Sequence, residues 1–159
     1  MKTKLTLIMF LIFPLLTFSQ NQAPETAAEV IDLIKKNIEV PWAAQTVDTF
    51  KAGNPSSEVS GIAVCMFADM KTLKRAVNSG CNLIITHEPV FFNHLDETKS
   101  YSEDPVFREK VKFIKEKNLV IFRLHDHVHK TKPDIISAGM VKKMKLEKYS
   151  LNEKLTLFR

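Results

Sequence analysis

Apolar residues along the chain follow two different spacings, and each spacing predicts a different secondary structure. Between residues 27 and 38 they recur every three or four positions, which is typical of an amphipathic helix that ends before Pro41. Three other runs are short and almost continuously apolar, as in strands that are buried in a parallel sheet. These runs are 61–66, 82–86 and 119–124.

Helical patterns separate the three apolar runs. One spans residues 70–79 and ends at Gly80, a second begins at Pro105, and a last helix begins at Pro133. Strands and helices that alternate in this way predict an α/β fold, with a mostly parallel sheet built from successive βαβ units and helices on both faces. Residues 40–60 are rich in turn formers and predict a long loop with a short strand at 47–50. Asp48 in this strand either faces a site or caps a turn, and the turn cap is the favoured interpretation.

Three histidines follow the last predicted strand at alternate positions. They are His125, His127 and His129, and Asp126 lies between the first two. In an extended chain, residues two apart are separated by about 6.5 Å and residues four apart by about 13 Å. A zinc ion holds each nitrogen ligand at about 2.1 Å, so one ion cannot reach all three in a straight strand. The sequence therefore predicts either a bend in the chain or two ions, against the simpler alternative of solvated histidines without a ligand.

His87 and Glu88 follow the preceding predicted strand directly. Parallel strands leave a sheet at the same edge, so these two side chains are predicted to converge with the later histidines. Mixed nitrogen and oxygen donors suit zinc, manganese or iron, and adjacent side chains diverge enough to serve two ions. The sequence thus predicts a site for divalent metal ions, two in number.

Other polar residues flank this predicted site, and each has two interpretations. His94 and Asp96 either line the site or cap a mobile loop. Arg123, Lys130 and Lys132 either hold an anionic substrate or are solvated cations, and the second alternative is favoured.

Charge and targeting signals narrow the classes of protein. Lys2 and Lys4 precede an apolar run that ends near Ser19, which is typical of a secretory signal peptide over residues 1–19. We therefore expect a secreted or periplasmic protein without a membrane span after cleavage.

The net charge of the mature chain is only mildly positive. Cleavage would lower the formal net charge from +5 to +3, since 21 basic residues would remain beside 18 acidic ones. This excess of positive charge is too small to predict nucleic-acid binding. Cys65 and Cys81 are expected to be free thiols.

The stretch GCNLIITHEPVFF, followed by LHDHVHK and a helix, resembles the Nif-three-like proteins (NGG-one-interacting factor three). These proteins are also called dinuclear metal centre hexameric proteins and GTP cyclohydrolase I type 2-like proteins. The resemblance runs from about residue 27 to residue 159, and it implies that residues 20–159 form a partial α/β metal-binding domain. The family's strand typically ends in Thr-His-His-Pro, where this chain has Thr86-His87-Glu88-Pro89.

The resemblance also implies which residues bind metal. The family's second motif places an aspartate four residues after a histidine, and these positions are His125 and His129 here, so the bridging carboxylate is absent. The ligands implied are His87, Glu88 and His129, with His127 and Asp126 as further candidates, and His125 is the predicted proton-transfer residue.

These observations predict a divalent-metal-binding protein with a dinuclear centre, similar to metal-dependent hydrolases, that acts on an unidentified small molecule. One alternative is a metal-binding homo-oligomer without catalysis, for which the resemblance implies hexamers. Another is a nonfunctional fragment, because the family's second half with its His-x-x-x-Glu motif has no counterpart in this sequence. We expect no nucleic-acid partner under any of these hypotheses.

Overall fold

The computed structural model describes residues 25–150 and residue 152. The predicted signal peptide lies outside the described residues. The helices are α1 (Ala27–Asn37), α2 (Met70–Asn78), α3 (Pro105–Glu116) and α4 (Ile135–Met144), and the strands are β1 (Phe50–Ala52), β2 (Ile62–Cys65), β3 (Leu83–Thr86) and β4 (Val120–Arg123). One-turn 3₁₀ helices lie at Lys99–Tyr101, Val128–Lys130 and Glu147–Tyr149.

The four strands form one mixed sheet in the order β1-β4-β3-β2. Strands β2, β3 and β4 are parallel and connected by α2 and α3, which confirms the two predicted βαβ units. The edge strand β1 is antiparallel to β4, with Phe50 opposite Phe122, so the sheet is not parallel throughout. The sequence predicted a short strand at 47–50, whereas β1 only begins at Phe50, and nothing in a three-residue strand fixes its direction.

Helices cover both faces of the sheet, as predicted. On one face, α1 buries Val30 and Ile31 against a cluster that includes Leu83 and Phe122. This helix begins with a capping box, because the Thr26 hydroxyl accepts from the Glu29 N–H while the Glu29 carboxylate accepts from the Thr26 N–H. On the opposite face, α2 and α3 pack against the central strands in a second cluster of buried apolar residues. This cluster includes Leu73 and Ala76 of α2, Ile114 of α3, Ile84 of β3 and Ile121 of β4.

The outer strand β2 is less buried than its apolar sequence predicts. Its residues alternate between exposed and half-buried, and Val64 is 78% exposed. The central strands β3 and β4 are buried at every position. The reason is position in the sheet, since β2 is at an edge and α1 packs over β3 and β4 instead.

The central strands end side by side and bring the predicted site residues to one edge. Thr86, the last residue of β3, is in register with Arg123, the last residue of β4. Beyond Arg123 the chain turns and enters the 3₁₀ helix at Val128–Lys130, which is the bend that one shared ion requires. Residues 125–129 therefore do not alternate faces as they would in an extended strand.

Two further expectations concern the described part of the chain. Cys65 and Cys81 are both free thiols, as predicted. Within residues 25–150, every helix is too short or too polar to cross a membrane.

Candidate metal centre

Three histidine side chains meet beyond the ends of β3 and β4. We call them the histidine triad: His87 directly follows β3, His125 follows β4, and His129 lies in the adjacent 3₁₀ helix. One ring nitrogen from each lies within 4.8 Å of the other two. The Nε2 atoms of His87 and His129 are 3.1 Å apart. His87 is buried, His125 is half-buried and His129 is exposed, so the triad opens to solvent on one side.

Each ring of the triad is held through its Nδ1 atom by an oxygen atom. Nδ1 of His87 is 3.1 Å from the carbonyl oxygen of Leu124, which can only accept, so this nitrogen carries the proton. Nδ1 of His125 is 3.1 Å from a carboxylate oxygen of Asp126. Nδ1 of His129 is 2.6 Å from a carboxylate oxygen of Asp134. Each contact favours the tautomer in which Nε2 has a free lone pair, and metal-binding histidines are oriented in the same way.

The spacing of the Nε2 atoms fits one shared metal ion. Two nitrogens bound at about 2.1 Å lie about 3.4 Å apart around a tetrahedral ion and about 3.0 Å apart at a right angle. The separation between His87 and His129 is 3.1 Å, which lies within that range. With both Nδ1 atoms protonated, the two Nε2 lone pairs face each other, and a cation between them removes the repulsion. A set of imidazole ligands suits zinc or iron rather than calcium or magnesium.

Electrostatics keep His87 in the form that binds metal. Burial lowers the pKa of His87, and the nearby His125 and His129 rings lower it further, although the contact with the Leu124 carbonyl acts in the opposite direction. A lowered pKa means that the neutral imidazole, which alone can bind a metal ion through Nε2, is present at neutral pH.

Asp126, a predicted ligand candidate, is placed to orient His125 instead. One of its carboxylate oxygens contacts Nδ1 of His125, while the other accepts from the Thr46 hydroxyl at 2.8 Å and from the Val47 N–H at 3.1 Å. Burial alone would raise the pKa of Asp126, but the hydrogen bonds from Thr46 and His125 hold it well below its usual range. The side chain is therefore a carboxylate with both oxygens engaged.

His127, another predicted ligand candidate, has both ring nitrogens engaged away from the triad. Its side chain is fully buried, with Nδ1 2.6 Å from a carboxylate oxygen of Asp48 and Nε2 accepting from the Ala43 N–H at 2.9 Å. The ring also stacks on Trp42, with 3.7 Å between the ring centroids. Neither ring nitrogen is available, so His127 fixes the turn while its neighbours at positions 125 and 129 face the site.

Comparison with known proteins identifies the family. The model of the family Duf34/NIF3 (NGG1p interacting factor 3) matches residues 23–154, which is most of the chain. The chain belongs to the Duf34/NIF3 family. Among curated proteins, none matches this sequence.

Solved structures with a similar fold agree with this assignment. A Staphylococcus aureus hypothetical protein aligns with a TM-score of 0.60 and 17% identity, over 79% of this chain and 35% of that one. A Bacillus cereus protein related to NIF3 gives 0.60 and 18%, over 77% and 33% of the two chains. Reduced HcgD from Methanocaldococcus jannaschii gives 0.54 and 17%, over 77% and 48%. At these identities the likeness shows the fold alone, and this NIF3-family chain spans about a third to a half of those proteins.

Glu88 does not join the histidine triad of this NIF3-family protein. It is half-buried, its N–H donates to the Met66 carbonyl, and its own carbonyl accepts from the Thr86 hydroxyl. Its carboxylate acts on His87 only through its charge, which raises the pKa of that ring slightly against the larger effect of burial. Glu88 is thus the sequence neighbour of His87, but its carboxylate is not one of the groups that converge in the triad.

Two carboxylates that organise the site were not predicted as site residues. Asp48, for which a turn cap was the favoured interpretation, is buried and accepts from the backbone N–H groups of His125, Asp126 and His127 at 2.6, 2.9 and 2.9 Å. Asp134 holds His129 and caps α4 by accepting from two backbone N–H groups. Asp134 was detectable as a helix cap from its place before an apolar helix, but its contact with His129 depends on the turn between them.

Arg123 supports the site from behind the sheet edge. The side chain is fully buried, its Nε donates to the His87 carbonyl at 3.1 Å, and its guanidinium also donates to the His94 carbonyl. Arg123 therefore fixes the loop after β3 rather than binding an anionic substrate. The His94 ring lies edge-on to the His125 ring, with 5.3 Å between the ring centroids, so His94 flanks the triad. Asp96 instead caps a loop, because its carboxylate accepts from the Val90 and Phe91 N–H groups.

Proposed function

We propose that this NIF3-family chain binds a divalent transition-metal ion through His87, His125 and His129. The observation that carries the proposal is the common geometry of the three rings, each held at Nδ1 by an oxygen so that Nε2 is free. We further propose zinc, manganese or iron as the metal, and a second ion beside the first, with Glu88 as one of its ligands.

The chemistry proposed for the site is metal-dependent hydrolysis of a small molecule. A bound divalent ion supplies a Lewis acid and lowers the pKa of a bound water toward about 7. The chain itself orients the imidazoles through Leu124, Asp126 and Asp134, and it leaves one side of the triad open at His129. His125 faces the same centre as the other two rings, so in this proposal it is a metal ligand rather than the proton-transfer residue.

Elemental analysis of the purified full chain tests the metal proposal. After dialysis against zinc and removal of free metal, we expect at least one tightly bound ion per chain, and two where the second ion is present. His129→Ala removes an exposed ligand with little effect on folding, and it should lower the metal content to less than half. His94→Ala is the matched control, since it removes a neighbouring exposed histidine outside the triad and should leave the content unchanged. Equal metal content in wild type and His129→Ala would contradict the proposal.

A metal-binding role without catalysis is a second candidate function. It is supported by the origin of the three ligands, since the exits of two strands and the segment before α4 would be held together by one ion. For this role we propose self-association, and light scattering with and without a chelator tests it. Dissociation on metal removal, without any hydrolysis in a substrate screen, supports assembly, whereas an unchanged mass contradicts it.

Export of the chain also stays a proposal. It is supported by the two lysines and the apolar run in residues 1–19. N-terminal sequencing of protein recovered from the cell envelope and medium should find a chain that begins near residue 20, and an intact Met1 in that material would contradict cleavage.

A further inference from the structure

A cavity lies on the face of the sheet that α2 and α3 cover. It encloses about 270 Å³ between the N-terminal ends of these two helices and the loop that follows β3. Four aromatic side chains are part of its lining. They are Phe91, Phe92, Tyr101 and Phe107. We call this cavity the aromatic pocket, and none of the histidine triad lines it.

The aromatic rings form two pairs with fixed relative positions. Phe91 and Phe107 meet edge-on with ring centroids 5.2 Å apart, and Phe92 and Tyr101 are tilted with centroids 4.3 Å apart. The Asp96 carboxylate accepts from the Phe91 N–H at 2.8 Å, which holds the loop that carries the first two rings. Aromatic walls of this kind favour a flat ring that can stack or pack edge-on.

The polar groups of the aromatic pocket are two carboxylates, two hydroxyls and one ammonium. Asp69 and Asp104 each use one carboxylate oxygen to cap a helix, accepting from the Thr72 N–H at 2.7 Å and the Phe107 N–H at 2.9 Å. The Asp104 carboxylate keeps its second oxygen as an acceptor, whereas the Asp69 carboxylate also contacts the Thr72 side chain. Lys110 is the cation of the pocket, and its ammonium donates to the Val90 carbonyl, with other N–H donors left over.

This charge pattern selects among flat ligands. The face of the Phe91 ring is closed to an organic cation, because the Lys110 ammonium already lies over it, 5.6 Å from its centroid. An aromatic acid is disfavoured because two carboxylates face one ammonium. A neutral ring with N–H donors for the carboxylates and an acceptor for Lys110 satisfies all three groups.

We propose that the aromatic pocket binds a planar nitrogen heterocycle that carries an amino group. Cavities for drug-sized ligands occupy roughly 300 to 1,000 Å³, so a volume of about 270 Å³ limits the ligand to one or two rings. The inference is independent of the proposed metal centre, because the pocket is lined by other residues.

Ligand-observed NMR and calorimetry with two matched probes test this proposal. 2-Aminopyrimidine and 2-methylpyrimidine have the same ring and nearly the same size, but only the first has N–H donors. Measured on the full chain in the presence of a chelator, the amino compound should bind about tenfold more tightly, because hydrogen bonds to charged groups discriminate strongly. A failure of the metal proposal leaves this measurement unaffected. Equal affinity of the two probes, or no binding of either, would overturn the inference.

Variants of the lining give a second, independent readout. Phe92→Ala removes a ring that is 47% exposed, so folding should persist while binding of 2-aminopyrimidine weakens at least fivefold. Leu95→Ala is the control, since this side chain is 61% exposed on the same loop and does not line the pocket. Asp69→Asn keeps a helix cap and should reduce the preference for the amino probe. Unchanged binding in both Phe92→Ala and Asp69→Asn would place the ligand elsewhere and overturn the assignment.

Discussion

The residues behind the histidine triad determine its chemistry as much as the histidines do. Leu124 contributes a backbone carbonyl, whereas Asp126 and Asp134 contribute carboxylates. A carboxylate behind an imidazole makes the ring a more basic ligand than a carbonyl does. We therefore expect His125 and His129 to bind an ion more strongly, ring for ring, than His87.

Asp134 allows its two roles to be separated by mutation. Asp134→Asn keeps an oxygen for the N–H groups of Ile136 and Ser137, but it replaces the oxygen that holds His129 with an amide nitrogen. We expect metal affinity to fall about 10-fold to 100-fold, while the melting temperature of the metal-free protein stays close to wild type.

Asp134→Ala is the comparison for that experiment. It should lower metal affinity to the same extent and also destabilise the metal-free protein by about 1 kcal/mol, because the cap of α4 is lost. Calorimetric zinc titration and thermal denaturation measure the two effects. If Asp134→Asn binds zinc as wild type does, the contact with His129 does not orient that ring.

At the level of elements, short connections decide how closely the strands approach one another. Gly53 follows β1 with a φ of +83°, and a Cβ atom there would lie 2.3 Å from the Leu119 carbonyl oxygen and 2.7 Å from Cα of Val120. Gly80, after α2, has a φ of +75° but open space around the position of its Cβ. The two glycines thus share a left-handed backbone but differ in crowding.

Alanine at the two glycines should separate strain from crowding. Gly80→Ala adds only the cost of a positive φ, about 1 kcal/mol. Gly53→Ala adds a backbone clash at the β1 and β4 pairing as well, so we expect a loss of at least about 3 kcal/mol. Denaturant titrations measure both, and equal losses would show that β1 moves away from β4 without cost.

The capping box of α1 should make the stability of this helix depend on pH. Hydrogen bonds from the Thr26 and Glu25 N–H groups lower the pKa of Glu29 in the folded state. The carboxylate then stabilises the fold above its ordinary pKa of about 4.3, and this contribution is lost as the pH falls through the lower folded pKa. Melting temperatures should therefore separate wild type from Glu29→Gln near neutral pH and converge on acidification.

Glu109→Gln is the control for that pH series, because it removes one exposed carboxylate from α3 beyond the capped first turn. If the gap between wild type and Glu29→Gln widens as the pH falls, the sign of the argument is wrong.

At the level of the whole molecule, the proposed metal centre joins parts of the chain that are far apart in sequence. An ion that binds the folded chain but not the unfolded chain adds about 2.7 kcal/mol of stability at a free concentration 100 times its Kd. We expect zinc to raise the melting temperature by several degrees in wild type and in His94→Ala, and by much less in His129→Ala. A chelator should reverse the shift, and an equal shift in all three proteins would indicate binding elsewhere.

The periodic part of the fold was predictable because it depends on local pattern. Helices α2 and α3 and strands β3 and β4 lie within a residue or two of their predicted bounds, since Asp104-Pro105 and Gly80 are strong start and stop signals. The direction of β1 and the exposure of Val64 were not predictable, because both depend on which strand is at the edge of the sheet.

The candidate site was predictable in location but not in detail. His87 and His125 follow strands that are parallel and adjacent, so their convergence is a consequence of topology. The separation of His127 from the triad depends on Asp48, which is nearly 80 residues away and binds three successive N–H groups of the turn. A side chain that organises a turn from such a distance leaves no periodic signal in the sequence.

The stacking of Trp42 on His127 gives this molecule a built-in optical reporter. Trp42 is the single tryptophan of the sequence, and its ring is parallel to the imidazole to within 4°. Its fluorescence therefore depends on whether the turn at residues 125–129 is formed, and selective excitation near 295 nm would follow that turn without any label. Loss of the turn would change the emission, so the ordering of the site becomes measurable in real time.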